Sequence, residues 1–363
     1  MKTLNFWEDT MEVLGIDIGF GFTKASNGKE FIMFKSIFGE AVDIQFYADL
    51  GNNSNSDQLH VTIDDKSYFV GDYAEQQSNV RQFTLDQEKL ITDFVKILAL
   101  TVAGKFSNTE APINIVSGLP VSYFKEHNTR FAKLLTGQHT ITYHKTDGKS
   151  TTKRIFIKKV RMMPQPLGSF FNLLMDDKGK ITNMELTKQK VGIIDIGFRT
   201  TDFSIFDKLR YIDRGSTTMD TGISKIFRVI ANRLHEKSGI NVELYRLYNA
   251  VESGLIKMKG QEYDISKIRD QVFMQSAETI ANDIDRMWAE DWDIDSIILT
   301  GGGCTELAKY LQPMISGHVL PVEKNKDARL NNVRGYLKYG KYIWGESGLC
   351  VTPPDIAEQA KAG

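Results

Sequence analysis

The feature that most constrains this chain is an internal repeat. Ile16-Asp17-Ile18-Gly19-Phe20 recurs as Ile194-Asp195-Ile196-Gly197-Phe198, about half the 363-residue chain further on, with Thr23 and Thr201 at equal offsets. Each copy is an apolar run with an Asp near its tip and a Gly turn, followed by a second apolar or alternating segment. Glu12 to Ile18 predicts a short buried strand, and Asn27-Gly28 beyond it is a hairpin signal. After the second copy, Phe203, Ile205 and Phe206 lead into Asp207, which favours a returning strand over a helix. One β-hairpin in each half is the expectation. At roughly 150 residues per domain, the length also favours about two domains.

Between the copies, Thr84 to Gln87 reads as a capping box before a helical stripe of Leu90, Ile91, Phe94, Val95 and Leu98, which Gly104 can stop. A strand at Ile113 to Val116 runs into a turn at Ser117-Gly118-Leu119-Pro120, and Asp147-Gly148 joins Thr140–His144 to Arg154–Val160 as a hairpin. Further on, Ile223, Ile226, Phe227, Ile230 and Leu234 share a helix face that Gly239 can end. A second helix carries Ala277, Ile280, Ile284, Met287 and Trp288. Ser296 to Thr300 is a strand feeding Gly301-Gly302-Gly303, with a helix from near Thr305-Glu306. Residues 1–11 read as a loose extension and residues 346–363, with Pro353-Pro354, as a tail.

Several function classes are excluded. Lys and Arg total 45 against 46 for Asp and Glu, so no overall field grips DNA, although a local basic patch is compatible with that balance. Two cysteines, Cys304 and Cys350, are too few for a disulfide framework and point to a reducing compartment. The most apolar stretch, Phe94 to Gly104, is broken by Lys96 and cannot span a bilayer. The chain reads as cytoplasmic. Gly19-Phe20-Gly21 opens like a dinucleotide fingerprint, but Lys24 occupies the third glycine position and the hairpin signal opposes the required helix. Gly148-Lys149-Ser150 lacks the preceding Walker glycine, because Tyr143 stands there. No two of the six histidines have the helical metal-ligand spacing, and Cys304 reads as a small packing residue.

The repeated hairpin carries the chemistry. Glycine turns let backbone N–H groups approach phosphate oxygens without a Cβ in the way, and Thr23, Thr200, Thr201 and Lys24 add hydroxyls and a cation. Asp17 and Asp195 alone would repel phosphate. They make sense beside one if Mg²⁺ sits between, retaining several of its waters. For either copy alone, strand-ending carboxylates and simple turns are the better account; the duplication favours a pair of phosphate grips. Gly301-Gly302-Gly303 brings backbone close to a flat ligand such as adenine or ribose, or is only a helix-entry turn. Gln165, within Met163-Pro164-Gln165-Pro166, either orients a water or decorates a surface turn.

In this order the residues resemble the actin-like ATPase superfamily. Asp17 to Lys24 resembles its first phosphate motif, Asp195 to Asp202 its second, and Leu299 to Gly303 its adenosine motif. Ser117-Gly118-Leu119-Pro120 and the Pro-Gln turn are most similar to the ParM/StbA plasmid-segregation group and its archaeal actin-like relatives. The resemblance implies an α/β, actin-like (ribonuclease H-like), duplicated two-domain fold with a nucleotide cleft between domain I, residues 12–185, and domain II, residues 186–345.

It also implies roles for particular residues. Gly19, Gly21, Phe22, Thr23 and Lys24 would lie at the phosphates, and Gly197, Thr200 and Thr201 would approach the γ-phosphate. Gly301, Gly302 and Gly303 would hold adenosine, and Gly222 of Asp220-Thr221-Gly222 would border the nucleotide. Asp17 and Asp195 would face the Mg²⁺ hydration shell, and Gln165 would position the attacking water. Gln165 stands where ParM has an acidic residue and resembles the actin arrangement. The implied function is Mg-dependent hydrolysis of ATP to ADP, timing a head-to-tail filament used in plasmid or DNA segregation or intracellular positioning. The partners are then other copies of the chain and a DNA-bound adaptor, with neither sequence-specific nucleic acid contact nor a membrane. A sugar or acid kinase of the same fold and a catalytically weak nucleotide-binding scaffold remain alternatives.

Overall fold

The computed structural model describes residues 12–42, 58–86, 93–107, 111–320 and 327–345. The expected extension and tail lie outside these residues, as do Gln87, Leu90 and Ile91 of the expected capping box and helical stripe. The described residues form two compact units, those up to 119 together with 123–164 making the first, and 120–122 together with those from 165 onward making the second. Compactness therefore divides the chain after Pro164, and residues 165–185, grouped by the sequence with the first half, pack with the second. No helix among the described residues is long and apolar enough to cross a membrane.

Unit 1 is built on one mixed sheet of ten strands. These are β1 (Glu12–Ile18), β2 (Phe22–Ser26), β3 (Phe31–Lys35), β4 (Phe38–Glu40), β5 (Leu59–Ile63), β6 (Lys66–Val70), β7 (Arg81–Gln82), β8 (Ile113–Leu119), β9 (Gly137–His144) and β10 (Ser150–Pro164). Their spatial order is β3-β2-β1-β8-β10-β9-β5-β6-β4-β7. Its helices are α1 (Asp72–Gln77), α2 (Asp93–Phe106) and most of α3 (Val121–Leu135). The helix α2 packs against β1, β9 and β10 with nearly every residue buried.

The structure corrects two local expectations. Gly104 does not stop α2, which continues to Phe106. A Cβ there would come within 2.5 Å of the Tyr143 hydroxyl and 2.9 Å of Ile141 Cδ1, so the glycine serves close packing on β9. Ser117-Gly118-Leu119 is not a turn either: β8 runs through it, pairing Ser117 with Met162, Gly118 with Met163 and Leu119 with Pro164. Parallel neighbours on both sides, β1 and β10, hold this wholly buried strand in the ladder and outweigh its local turn chemistry. The helix α3, which directly follows Pro120, is an element that the sequence reading did not identify.

Unit 2 repeats the start of unit 1. Its sheet comprises β11 (Lys190–Ile196), β12 (Thr201–Asp207) and β13 (Arg210–Met219), plus a fourth strand, Ser296–Thr300. A separate two-stranded ribbon of β14 (Leu255–Met258) and β15 (Gln261–Asp264) precedes that fourth strand, which is thus β16. The order β13-β12-β11-β16, with two antiparallel pairings and one parallel pairing, matches β3-β2-β1-β8 strand for strand. The helices are α4 (Leu167–Leu174), α5 (Ser224–Ser238), α6 (Tyr248–Ser253), α7 (Ser266–Met287), α8 (Cys304–Leu311) and α9 (Asn331–Trp344). As expected, α5 ends at Gly239, which takes the left-handed conformation at φ 69°.

The helices α4 and α9 cross at backbone contact. A Cβ on Gly335 would lie 1.6 Å from the Gly168 carbonyl oxygen, and one on Gly168 would lie 2.6 Å from the Asn332 carbonyl oxygen. In the same unit, the Asp202 carboxylate of β12 tethers the segment 120–122. Its Oδ1 accepts the Val121 N–H at 2.8 Å and the Thr218 hydroxyl, and its Oδ2 accepts the Thr200 hydroxyl at 3.3 Å. Burial pushes the Asp202 carboxyl up to about 6, against the opposing pull of these three donors.

Two expectations follow. Gly335→Ala should lower the urea midpoint, because overpacking of roughly 3 kcal/mol exceeds the roughly 1 kcal/mol that alanine gains in helix propensity. An unchanged midpoint would show that the helices do not need this approach. For Asp202, the folded protein holds the proton more tightly than the unfolded chain, so stability falls as pH rises from about 4 to about 6. Asp202→Asn cannot titrate. Its stability relative to the parent should therefore rise across that interval, by up to about 3 kcal/mol, in denaturation measured at pH 4 and pH 7.

Candidate functional site

Each unit presents one hairpin tip, and the two tips close in the same way. The Gly19 N–H donates to the Phe22 carbonyl at 3.1 Å, and the Gly197 N–H donates to the Thr200 carbonyl at 2.8 Å. The carboxylates stand at the same register, with Asp17 opposite Lys24 and Asp195 opposite Asp202. Both are almost fully buried, at 2% and 5% exposure. The sequence repeat is therefore a repeat of backbone hydrogen bonding as well as of residues.

The cross-strand partners differ. In unit 1, the Lys24 ammonium lies 2.8 Å from Asp17 Oδ2, a largely buried ion pair. A Cβ on Gly19 would crowd the Phe22 carbonyl oxygen that closes the tip, at 3.2 Å, and would only touch Lys24 Nζ, at 3.6 Å. In unit 2, two carboxylates face one another across the strands, a destabilising pairing unless each finds its own donors. Asp202 has the three already described. Asp195 Oδ2 accepts the Asn332 Nδ2–H at 2.6 Å.

Unit 2 gathers two of the expected elements, Asp220–Gly222 and Gly301–Gly303, around its hairpin. The N–H groups of Gly222, Ile223 and Ser224 donate to the carbonyls of Arg199, Gly197 and Phe198, at 3.2, 3.2 and 2.7 Å. A trans peptide holds its N–H opposite its C=O, so this directs the amides of Phe198, Arg199 and Thr200 away from α5. Successive amides aimed to one side form the backbone concavity that suits an anion. Gly222 must approach closely for this, because a Cβ would fall within 2.4 Å of the Arg199 carbonyl carbon and 2.6 Å of Phe198 O. Gly301, at φ 92°, has no room for a side chain: its Cβ would meet Asp195 Oδ1 at 2.3 Å. The Gly303 N–H donates to the Ile196 carbonyl at 2.8 Å, and a Cβ on Gly302 would touch the Arg329 side chain at 3.6 Å. Arg199 pairs with Asp220, next to Gly222.

The threonine hydroxyls have positioning partners. Thr23 is fully buried with its Oγ1 2.9 Å from Ser36 Oγ, so the hydroxyl expected at phosphate faces the interior. Thr200 donates to Asp202, and Thr201 donates to the Thr221 carbonyl at 3.2 Å, tying the hairpin to the Asp220–Gly222 segment. The Gln165 carbonyl accepts the Gly168 N–H and the Tyr336 hydroxyl, at 3.2 and 3.1 Å, which fixes the backbone from which its half-buried side chain projects. Burial, with Asp195 close by, pushes the Cys304 thiol up to about 12, in keeping with a packing role.

Sequence reasoning did not identify Asn332 or Ser169, and Asp202 entered only as the end of the second phosphate motif, without a role. The available signal for the first was an Asn331-Asn332 pair opening an apolar stripe of Val333, Tyr336 and Leu337. No group of three or more His, Cys, Asp or Glu among the described residues could cage a metal. Single carboxylates at each tip do fit Mg²⁺, which keeps several waters and takes further ligands from phosphates.

Two family models match the chain in succession. The actin-like protein N-terminal domain covers residues 15–168, and the archaeal actin homologue MreB-like C-terminal domain covers residues 193–313. No curated protein matches by sequence. ParM from a 15-stranded Clostridium botulinum filament is 24% identical, with a TM-score of 0.76 over 92% of this chain and 99% of its own. An archaeal actin homologue is 19% identical, with a TM-score of 0.73 over 90% of this chain and 98% of its own. Bacillus thuringiensis ParM with ADP is 20% identical, with a TM-score of 0.68 over 91% and 98%. The large mixed sheet of unit 1 and the smaller sheet of unit 2 are the actin-like fold. With both halves matched in order and the whole architecture shared, the chain belongs to the actin-like superfamily.

Proposed function

We propose that this protein binds and hydrolyses ATP with Mg²⁺ and assembles head to tail into filaments under nucleotide control, serving plasmid or other DNA segregation or intracellular positioning. The observation that carries this reading is the duplicated hairpin, with its shared glycine closure and an Asp at the same register in each unit. The ParM of the Clostridium botulinum filament supports assembly, and the ADP complexes of Bacillus thuringiensis ParM and the archaeal actin homologue support nucleotide binding.

The chain's own groups divide the work. Backbone amides at Gly21 and Phe22, and those of Phe198 to Thr200, receive phosphate oxygens, while the Gly19 and Gly197 amides close their own tips. Lys24 offsets phosphate charge, and a nucleotide must compete with Asp17 for it. Gly301, Gly302 and Gly303 pass along adenosine, with Gly222 holding the second tip in place. Gln165 orients the attacking water, which an amide can do without being a strong base. Mg²⁺, when bound through water beside Asp17 and Asp195, supplies positive charge against the polyphosphate. Catalysis is then chiefly positioning and electrostatic stabilisation. A DNA-bound adaptor is the partner that would connect such a filament to a plasmid.

Self-association also gives a role to Trp292. It is 87% exposed on the loop between α7 and β16. The adjacent Asp291 is fully buried, bonded by Arg214 at 2.7 and 3.0 Å and by Lys190 at 2.8 Å. A large aromatic side chain on so firmly held a backbone loses little freedom on docking, which is the character of an interface anchor.

Pelleting and phosphate release with Mg-ATP, Mg-ADP and no nucleotide test the reading. Assembly should depend on nucleotide, and Asp195→Ala should lower phosphate release about 100-fold or more while the protein stays folded. Turnover unchanged by Asp195→Ala would remove the assigned role. Trp292→Ala should retain nucleotide binding but raise the critical concentration for assembly about tenfold or more. An unaltered critical concentration would place the contact elsewhere.

A further inference from the structure

The side chain that holds Asp195 comes from a part of the chain outside every phosphate and adenosine motif. Asn332 is the second residue of α9 and is 5% exposed. Its Nδ2 donates to Asp195 Oδ2 at 2.6 Å. Its Oδ1 accepts the Ser169 backbone N–H at 3.1 Å and the Ser169 hydroxyl at 2.7 Å. Because two donors face Oδ1, the amide can present only its NH₂ to the carboxylate, and its orientation is determined by the network. The network continues to the adenosine strand. Ser169 Oγ lies 2.6 Å from Thr300 Oγ1, and Asn331 Nδ2 donates to the same oxygen at 3.3 Å. Thr300 is fully buried and immediately precedes Gly301.

We infer that Asn332 is a positioning residue for Asp195, holding the carboxylate in place for the cation at the phosphates. The inference rests on the proposed role of Asp195. The comparison with the first hairpin supplies its chemical content. Asp17 is paired with an ammonium, which cancels much of its charge, whereas the amide at Asp195 fixes direction without adding positive charge. A lysine or arginine in this place would compete with Mg²⁺; an apolar residue would leave a buried carboxylate without this donor.

The test compares the parent with Asn332→Ala and with the nearly isosteric Asn332→Asp, which serves if the alanine variant does not fold. Phosphate release is followed from pH 5.5 to 8, and ADP affinity is measured with and without Mg²⁺ by fluorescence. Asn332→Ala should lower kcat about tenfold or more, the magnitude of a lost hydrogen bond to a charged group. Its ADP affinity without Mg²⁺ should change less than about threefold, while the additional affinity conferred by Mg²⁺ should fall. In Asn332→Asp, two carboxylates face each other at pH 8. As the pH falls, the new carboxyl takes up a proton and donates to Asp195 again. Turnover relative to the parent should therefore recover toward pH 5.5, a behaviour that loss of packing alone does not produce. A folded Asn332→Asp with the parent's pH profile, or with a deficit that does not vary with pH, would overturn the inference. A parent protein with neither Mg-nucleotide binding nor phosphate release would instead overturn the proposed role of Asp195, and this inference with it.

Discussion

The second hairpin tip is enclosed by backbone, and the site depends on that exclusion of side chains. Gly222 lies against the peptide planes of Phe198, Arg199 and Thr200, and Gly301 lies against the Asp195 carboxylate, at distances no Cβ tolerates. The close approach lets the first amides of the α5 region engage the tip carbonyls. A helix start normally has amide donors in need of acceptors; here the hairpin supplies them. In return, the tip's own amides are turned to the other side. One steric constraint therefore places an Asp, a row of N–H groups and the glycine strap in a common arrangement within unit 2.

Duplication preserved this backbone and let the cross-strand chemistry diverge. The position opposite the hairpin Asp is Lys24 in unit 1 and Asp202 in unit 2. The first pairing is self-compensating. The second puts like charges at one register, and the fold separates them by giving each its own neutral donors, three to Asp202 and the Asn332 amide to Asp195. Asp202 bears the cost of burial in its raised proton affinity. It also anchors Val121, so the segment that leaves β8 is attached to the second hairpin's return strand. The two tips are alike in backbone but unlike in charge.

What could be read from the sequence was mostly local. The two hairpins, the Gly239 stop and the strand into Gly301 follow from short-range turn, cap and apolar patterns, and the structure contains all of them. The misreadings at Gly104 and Ser117–Leu119 came from the same local rules. Tyr143, distant in sequence, determines why residue 104 is glycine, and two parallel neighbours determine that 117–119 stay extended. Of the site, the residues adjacent to the glycine turns were legible because glycine and Asp mark them. Asn332 and Ser169 were not, since each is an ordinary polar residue in a helix until the fold brings them together.

That meeting has its own steric origin. Gly168 precedes Ser169 in α4, and Gly335 follows Asn332 by one turn in α9, so the glycine contact and the polar network are neighbouring parts of one helix crossing. Ordinary helix packing keeps axes roughly 8–10 Å apart, set by the side chains at the contact. With glycines at the contact, the limit becomes backbone, and short side chains such as Ser169 and Asn332 can span the remaining gap. Their hydrogen bonds are sensitive to tenths of an ångström, so any spreading of the crossing is felt first at the Asn332 amide and then at the Asp195 carboxylate it holds. The precision of the charged site is therefore derived from two residues that have no side chains.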